Sequence, residues 1–379
     1  MATMNDVAKL AKVSVSTVSY VLTGTRPISQ RTRDKVLAAM LELDYQPNAM
    51  ARGLASRRST LIGLMLPMDE RGGLSATETN FVTGAAGAAS AAGYHLMLHP
   101  VAANDLEALR QLASRRLLEG ALLMEVRLED ERVKVLRQLG VPLVLIGRTE
   151  DTTGLPYVDI DFDQTVRDAV AHLVELGHRR IVYVNHSPNS IDTGYGPARR
   201  TQDAFLAAMN SHGLVPLMIA AEDTAAGGRA AIGTALAQAP DLTAVLAMNE
   251  SAVFGMLGEL SVRGLSVPGD VSVVSMVTSQ QVAELATPAL TAMTSPGSMM
   301  GRIAVEVLLH GLLDRNSPPV RNSPPVRNSL PVRNSLPDSP VDHSTVEIGR
   351  VHQQLLPCAL EVRGTSGPAR TERGSPPGS

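Results

Sequence analysis

The segment 5-NDVAKLAKVSVSTVSYVL-22 decides the class of the N-terminal fold. Asn5 or Thr3 can cap a first helix, and its apolar positions Val7, Leu10 and Ala11 follow the i, i+3, i+4 spacing of a buried face. The Val-, Ser- and Thr-rich run that follows is prone to form a strand, yet it begins at a residue type that caps helices. The segment therefore predicts two short helices joined by a tight turn.

The residues around this segment extend the pattern to a helix-turn-helix bundle. Ser14 can cap the second helix after a turn at Lys12 and Val13, and Ser29 can cap a third helix. The second helix then exposes small Ser and Thr side chains, which allow a helix to lie deep in the DNA major groove. The residues predicted to face inward on the second and third helices are Val18, Val21, Leu22, Val36, Met40 and Leu43.

Length and composition limit the possible classes of protein. The chain has 379 residues, of which 44% are hydrophobic, so two or three domains with sizeable cores are expected. Its single cysteine, Cys358, excludes a disulfide framework. No apolar run reaches the roughly 18 residues needed to span a bilayer, and no signal peptide is recognisable. We therefore expect a soluble cytoplasmic protein without a membrane partner.

Charge is distributed unevenly along the chain. Residues 1–60 contain nine Lys or Arg against four Asp or Glu, a net charge of about +5, whereas the whole chain carries −3. The remaining residues therefore carry about −8. A basic head on an acidic body fits an anionic polymer that binds the head alone. Charge by itself is equally compatible with an ordinary solvated helical surface.

Several further segments carry a resemblance to a known family. The segments DVAKLAKVSVSTVSYVL, ISQRTRDKVLAAMLELDYQPNAMARGL, STLIGLMLP, LVELGHRRIVYV, PDLTAVLAMNESAVFGMLGEL, GLSVPGDVSVVS and TPALTAM resemble the LacI/GalR family of bacterial transcription regulators. The resemblance covers about residues 4–314 and resumes at LLPCALEVRGTSGP. It implies a sequence-specific regulator, expected to be a repressor, controlled by a small-molecule effector.

The resemblance also assigns DNA contacts to the head. The alternative for Tyr20 is that its ring covers the edge of the bundle. Val15 and Ser16 offer no bidentate pair to a base, so this helix should read few base pairs. The assigned residues are Val15, Ser16 and Tyr20 for base reading, Arg26 for a basic contact after the helix, and Thr17 and Ser19 for phosphates.

The segment QPNAMARGLASRR corresponds to the hinge helix of the family. Asn48 is a cap candidate, and the two turns that follow are too short to be stable alone in water. The resemblance implies that this helix forms on the operator, pairs with its dimer mate and inserts Leu54 into the minor groove. Ala51 and Ala55 would then allow close approach, and Arg52 would lie near the DNA backbone. The alternative is a plain linker with one exposed leucine.

From Thr60 onward, short apolar runs alternate with helix-length segments. This alternation is the signature of parallel α/β layers. Together with the resemblance, it predicts an all-α helix-turn-helix head followed by a two-lobed α/β core of the type I periplasmic-binding-protein kind. We expect the chain to cross between the lobes near 158–162, near 287–293 and after 313. The predicted strands span 61–67, 95–100, 120–126, 142–147, 180–185, 243–248 and 271–276, with a last strand near Leu355.

The effector cleft departs from the family pattern. Four residues are candidates for effector contact: Asp69, Arg200, Asn249 and Val277. The family's usual Asn-Asp pair is Asn249-Glu250 here, and Val277 replaces an Asp that often holds a sugar hydroxyl, although Val cannot accept a hydrogen bond. Arg200 lies one position from the usual cleft arginine, so either a local insertion restores it or Thr201 takes its place. Surface or structural roles for Asp69, Arg200 and Asn249 remain open, and the changes argue against an ordinary hexose site.

These patterns divide the chain into a DNA-binding domain (1–47), a hinge (48–59), an effector-binding and dimerisation core (60–364) and a disordered tail (365–379). Four Pro-rich hexapeptides lie in a predicted extended loop at 315–345. Two interpretations of these hexapeptides are open: a repeat expansion in a tolerated loop, or a docking motif. The expected partners are a pseudo-palindromic double-stranded operator, a second copy of the chain in a homodimer, and an effector such as a sugar or sugar-like metabolite.

Motifs for catalysis and metal binding are missing from the sequence. The nine histidines show no zinc-ligand spacing, and the chain has neither a GxSxG elbow nor a Walker A loop. We therefore expect no catalytic residues, no metal and no cofactor. A solute-binding protein with the same core is the main alternative function, but it would need export and would leave the basic head unexplained.

Overall fold

The computed structural model of the chain describes residues 2–23, 26–45, 59–66, 73–100, 105–115, 117–316 and 351–370. These residues form a small helical head and two α/β lobes, which confirms the predicted fold class. Within the described residues, no helix is long and apolar enough to cross a membrane.

The head consists of α1 (Met4–Ala11), α2 (Val15–Thr23) and α3 (Gln30–Glu42). Thr3 rather than Asn5 is the capping residue before α1. The Thr3 N–H and the Thr3 hydroxyl both donate to the Asp6 carboxylate. Lys12 ends α1 in the left-handed conformation with φ 55°, which allows the Val13 N–H to reach the Ala8 carbonyl. This left-handed residue makes the tight turn between α1 and α2.

The core of the head follows the predicted stripes with one correction. Val7, Val18 and Val36 are fully buried where the three helices meet. Leu10, predicted to face inward, is 40% exposed, and Ala8 occupies the core in its place. The buried face of α1 therefore runs through Val7, Ala8 and Ala11.

The first lobe is a parallel six-stranded sheet in the order β11-β5-β4-β3-β1-β2. Its apolar strands are flanked by helices on both faces, as burial of both faces requires. Its elements are β1 (Leu61–Leu66), α4 (Ala76–Ala91), β2 (His95–Pro100), α5 (Leu106–Ser114), β3 (Gly120–Leu123), α6 (Glu131–Gln138), β4 (Leu143–Ile146), β5 (Tyr157–Ile160), α13 (Gly297–Asn316) and β11 (Gln353–Leu356).

The second lobe is a similar sheet in the order β12-β10-β9-β8-β6-β7, in which only the β10–β12 pair is antiparallel. Its elements are α7 (Phe162–Glu175), β6 (Ile181–Asn185), α8 (Pro188–Asp192), α9 (Gly196–Ser211), β7 (Leu217–Ala220), α10 (Ala225–Gln238), β8 (Ala244–Ala247), α11 (Glu250–Val262), β9 (Ser272–Thr278), α12 (Gln280–Leu285), β10 (Thr291–Thr294) and β12 (Ala359–Glu361).

The chain crosses between the lobes three times. The first crossing follows β5 at 160–162, within the predicted range. The second lies at 294–297 rather than 287–293, because residues 291–294 still pair with β9 as strand β10. The third lies at 356–359, between the last two strands. Helix α13 extends to Asn316, so it includes the first two residues assigned to the Pro-rich loop, and 317–345 lie outside the described residues.

The predicted boundary of the disordered tail is wrong for residues 365–370. Thr365 is fully buried. Its hydroxyl donates to the Val273 carbonyl at 2.7 Å and accepts from the Thr291 N–H at 2.8 Å. The Gly367 carbonyl lies 3.0 Å from His178 Nε2. These polar groups attach the segment to the second lobe, although its Gly- and Ser-rich composition is typical of disorder. Residues 371–379 lie outside the described residues.

Candidate functional site

The first turn of α2 presents the residues assigned to base reading. Val15 is 41% exposed and Ser16 is also exposed, whereas Val18 is buried in the bundle. The Ser14 hydroxyl accepts from the Thr17 N–H at 3.1 Å and lies 2.8 Å from the Thr17 hydroxyl. The cap therefore fixes the N-terminal end of α2 and leaves two small side chains on its solvent side.

Tyr20 and Arg26 form a second exposed feature beside α2. The guanidinium carbon of Arg26 lies 5.1 Å from the centre of the Tyr20 ring, a distance typical of a cation–π contact. Tyr20 and Ser19 are both half-buried, whereas Arg26 is exposed. The Tyr20 ring therefore supports a cation at the edge of the bundle.

Six of the predicted site residues fall where no structure is described. The hinge residues Asn48, Ala51, Arg52, Leu54 and Ala55 and the cleft candidate Asp69 lie outside the described residues.

One set of contacts between the lobes, here called the Tyr195 contact, joins residues 125–128 to 194–196. The Tyr195 hydroxyl donates to Glu125 Oε1 at 3.0 Å. The main chain adds a hydrogen bond from the Gly196 N–H to the Val126 carbonyl at 3.1 Å and one from the Leu128 N–H to the Gly194 carbonyl at 2.8 Å. Burial and the Glu125 charge raise the pKa of Tyr195 well above its usual value, so the phenol stays protonated and donates.

A buried ion pair supports the first-lobe side of the Tyr195 contact. Arg132 is fully buried, and its Nη2 lies 2.7 Å from Asp130 Oδ2. The same nitrogen donates to the carbonyls of Met124 and Glu125 at 3.2 and 2.8 Å. Glu125 has φ 54°, an unusual value for a non-glycine residue, and the guanidinium holds its carbonyl in that conformation.

Asp159 lies between arginines from the two lobes. Its carboxylate is almost fully buried, and the Arg148 Nε lies 3.7 Å from Asp159 Oδ2. Arg200 of the second lobe reaches the first lobe, where its Nη2 donates to the Thr149 carbonyl at 3.2 Å. Burial raises the pKa of Asp159 to about 6, although the charges of Arg148 and Arg200 oppose the rise. Within the described chain, Asp159 Oδ2 and Arg148 Nη1 are buried atoms without a hydrogen-bond partner.

A second set of contacts between the lobes, here called the Glu250 contact, involves the start of α4. Glu250 Oε1 accepts from the Ala76 N–H at 3.1 Å, and Oε2 accepts from the Thr77 hydroxyl at 3.2 Å. Oε2 also accepts from the Ser279 N–H of the second lobe at 3.4 Å. Burial raises the pKa of Glu250, while these hydrogen bonds lower it.

Val277 takes part in the Glu250 contact through its main chain. Its carbonyl accepts from the Thr77 hydroxyl at 3.0 Å. Its φ of 50° is an outlier for a β-branched residue. The side chain is partly buried against the core, so the carbonyl rather than the side chain contributes polar chemistry here.

The two remaining candidates differ in their surroundings. Asn249 is buried, and its Nδ2 donates to the carbonyls of Ala221 and Asn185, at 3.2 and 3.4 Å. That amide group ties strand ends of the second lobe together. Thr201 is buried too and accepts from the Tyr183 hydroxyl at 2.6 Å. Of the two residues considered for the cleft arginine position, Arg200 is therefore the one that contacts the other lobe.

Sequence reasoning missed Glu125, Tyr195, Arg148, Asp159 and the reach of Glu250 across the cleft. One signal was present, because the apolar run 157-YVDI-160 contains an acid that a buried strand would not normally carry. The other residues have no local signature, since their partners are distant in the sequence. In the described part of the chain, no group of three His, Cys, Asp or Glu side chains could hold a metal ion.

Two family models match the chain. "Bacterial regulatory proteins, lacI family" matches residues 3–48, which contain the whole helical head. "Periplasmic binding protein-like domain" matches residues 170–336, which contain most of the second lobe. The two matches correspond to the head and the core seen in the structure.

Similar proteins cover nearly the whole chain. The HTH-type transcriptional regulator CelR of Thermobifida fusca is 32% identical over 326 residues, which are 84% of this chain and 94% of that protein. A structure described as the transcriptional regulator CelR-cellobiose complex is 26% identical with a TM-score of 0.65, covering 97% of this chain and 100% of that one. The lac repressor dimer bound to operator and the anti-inducer ONPF has a TM-score of 0.75 at 23% identity, covering 97% and 99%. The chain therefore belongs to the lacI family of bacterial regulatory proteins, transcription regulators with a DNA-binding helix-turn-helix head and a periplasmic-binding-protein-like core.

Proposed function

We propose that this regulator is a homodimeric repressor that binds a pseudo-palindromic operator with two heads and responds to an effector between its lobes. The observation that carries the proposal is the exposed first turn of α2, where Val15 and Ser16 face solvent beside the Tyr20–Arg26 pair. A helix of this kind inserts into the major groove, and two heads related by a twofold axis read two half-sites.

Binding to DNA from the gene's own promoter region tests this function. Fluorescence anisotropy should give an operator affinity at least about 10³ times that for random DNA of equal length. The stoichiometry should be two chains per operator. Equal affinity for the two DNAs, or saturation by a single chain, would contradict the proposal.

For the hinge, we propose that Leu54 enters the minor groove between paired hinge segments while Arg52 lies near the phosphates. Asn48, Ala51 and Ala55 complete this segment by capping it and by allowing close approach. An inserted leucine unstacks a base step and bends the duplex. Leu54→Ala should therefore remove most of the operator bend, measured by the mobility of circularly permuted DNA fragments. Arg52→Ala should weaken binding to all sequences but leave the bend.

For the effector, we propose a small molecule with several hydroxyl groups, of the sugar or sugar-like class. Asp159 Oδ2 and Arg148 Nη1 have no hydrogen-bond partner among the described residues, although Oδ2 lies 3.7 Å from the Arg148 Nε, and a hydroxyl group that enters the cleft would satisfy both. Arg200, Tyr195 and Glu125 add polar groups at the same interface. The cellobiose complex described for the CelR structure supports the class but not the particular sugar. Asn249 and Val277 would shape the cleft without contacting these hydroxyls, and Asp69 is retained as a candidate contact.

A ligand screen distinguishes this effector class from others. Mono- and disaccharides, polyols and sugar acids are added to the full chain, and the shift in melting temperature is recorded. A stabilising sugar should lose most of its effect in Arg148→Gln and in Arg200→Gln. Stabilisation by sugars that is equal in both variants and the parent would place the site elsewhere.

We also infer that the core binds its ligand without transforming it, and that the protein acts in the cytoplasm, where its DNA is. The similar proteins are transcription regulators, and the head matches a DNA-binding family. That match favours regulation over the alternative of a solute-binding protein with the same core.

A further inference from the structure

The beginning of α4 makes part of its hydrogen bonds with the opposite lobe. The first N–H groups of a helix have no partner within the helix. In α4, Ser75 Oγ accepts from the Glu78 N–H at 3.1 Å, and Glu78 Oε2 accepts from the Ser75 N–H at 2.6 Å. The Ala76 N–H is bonded to Glu250 Oε1 of the second lobe at 3.1 Å. The second lobe thus supplies an acceptor for the Ala76 N–H, which the capping box of Ser75 and Glu78 does not reach.

We propose that Glu250 is an internal latch that holds the two lobes together across the cleft. The carboxylate occupies the position that an anion takes at a helix N-terminus, where the N–H groups and the helix dipole favour negative charge. It does so from a residue 174 positions away in the sequence, across the cleft. The inference rests on the proposed function only because the cleft that the latch closes is the effector cleft.

Side-chain length makes Glu250 suitable for this role. It is the first residue of α11 and must reach α4 of the first lobe while still accepting from the Ser279 N–H of its own lobe. An aspartate at this position would be one methylene shorter, about 1.5 Å of reach, and would lose the Ala76 bond. The glutamate that departs from the family's usual Asn-Asp pair therefore gains a contact between lobes.

Thr77 strengthens the latch from the first lobe. Its single hydroxyl proton lies within reach of two acceptors on the second lobe, Glu250 Oε2 at 3.2 Å and the Val277 carbonyl at 3.0 Å. Val277 presents that carbonyl from a conformation with φ 50°, which is strained for a β-branched residue. The surrounding contacts must compensate this strain, and the hydrogen bond from Thr77 is one of them.

Hydrogen exchange of the full chain without effector or DNA tests the latch. In Glu250→Ala and in Thr77→Val, we expect the amides of Leu128 and Gly196 to exchange at least about tenfold faster than in the parent. Because those amides belong to the Tyr195 contact, their exchange becomes faster only if the two lobes move apart. The radius of gyration from small-angle X-ray scattering should increase in the same variants.

Matched variants separate a latch from a local structural role. Glu259→Gln removes the same charge from the same helix, where Glu259 pairs with Arg263 at 2.8 Å, and should leave exchange unchanged. Thr77→Ser keeps the hydroxyl and should behave as the parent. If Glu250→Ala does not fold, Thr77→Val tests the same contact from the first lobe. Faster exchange confined to residues 76–80, with Leu128 and Gly196 at parental rates, would overturn the proposal. Because no DNA or effector is present, that result would leave the proposed function standing.

Discussion

At the scale of single residues, Asp159 is a carboxylate in an environment that disfavours its charge. Its pKa is raised from 3.8 to about 6 by burial, against the attraction of Arg148 and Arg200. Because the folded state raises this pKa, the stability contribution of the group is complete below about pH 3.8 and is lost as the pH rises through 6. The stability of the protein should therefore depend on the charge state of this residue.

Asp159→Asn tests that dependence. Between about pH 4 and 7, the free energy of unfolding of the parent should fall by about 3 kcal/mol relative to the variant, because only the parent must ionise a buried group. Chemical denaturation at several pH values measures the difference. Asp163→Asn, which removes a carboxylate at an exposed position on α7, is the matched control. A difference that is constant with pH would mean that Asp159 is already ionised without cost.

Tyr20 offers a second residue-scale test, because its ring and its hydroxyl can be separated. Tyr20→Phe keeps the ring beneath Arg26 but removes the hydroxyl, and should cost on the order of 1–3 kcal/mol at the operator positions that the hydroxyl reads. Tyr20→Ala should in addition weaken binding to random DNA, because Arg26 loses its support. Binding to a set of operators with single base changes measures both effects. A Tyr20→Phe loss that is equal on operator and random DNA would remove the hydroxyl from base reading.

At the scale of elements, the C-terminal segment 363–370 shows how polar side chains can hold a chain that has little hydrophobic content. Thr365 connects β9 to β10 through the Val273 carbonyl and the Thr291 N–H. His178 Nε2 lies 3.0 Å from Ser272 Oγ and 3.0 Å from the Gly367 carbonyl. The segment is therefore part of the second lobe, held by buried hydrogen bonds rather than by an apolar face.

Thr365→Val tests how much this attachment contributes to the free energy of unfolding. The valine has nearly the same shape but leaves a buried N–H and a buried carbonyl without partners, so the free energy of unfolding should fall by about 1–3 kcal/mol. Thr365→Ser keeps the hydroxyl and should lose less. Urea denaturation of both variants measures the difference. Equal stability of Thr365→Val and the parent would show that the segment contributes little to folding.

At the scale of the whole molecule, the DNA-binding head and the core carry net charges of opposite sign. The first 60 residues carry a net charge of about +5 and the rest about −8, so the core repels the DNA that the head attracts. Contacts with phosphates release counterions, which makes affinity fall as salt rises. The core therefore helps to orient the head toward the duplex.

A salt titration tests this arrangement. The logarithm of the association constant should fall linearly with the logarithm of salt concentration, by about 0.9 for each phosphate contacted. Arg26→Gln should reduce that slope by about 1 if Arg26 contacts a phosphate. Arg302→Gln removes an exposed arginine of the core, paired with Glu306, and should leave the slope unchanged. A slope near zero for the parent would rule out electrostatic binding by the head.

The sequence by itself determined the head and the alternation of the core. Capping residues such as Ser14 and Ser29, and apolar positions such as Val18 and Val36, act within one or two helical turns, so their patterns can be read locally. The same holds for most of the strands. The strands β5 and β10 were not predicted because their residues were assigned to crossings between the lobes, and β7 and β12 were not predicted because these edge strands are only partly buried.

Only the tertiary structure decided what lies in the cleft. Glu250 meets Ala76 across 174 residues, and Tyr195 meets Glu125 across 70. Such contacts depend on how two separate sheets are placed against each other, which no local spacing of residue types encodes. The attachment of Thr365 to Val273 has the same origin, because a Gly- and Ser-rich segment becomes ordered only when buried donors and acceptors of other elements are there to meet it.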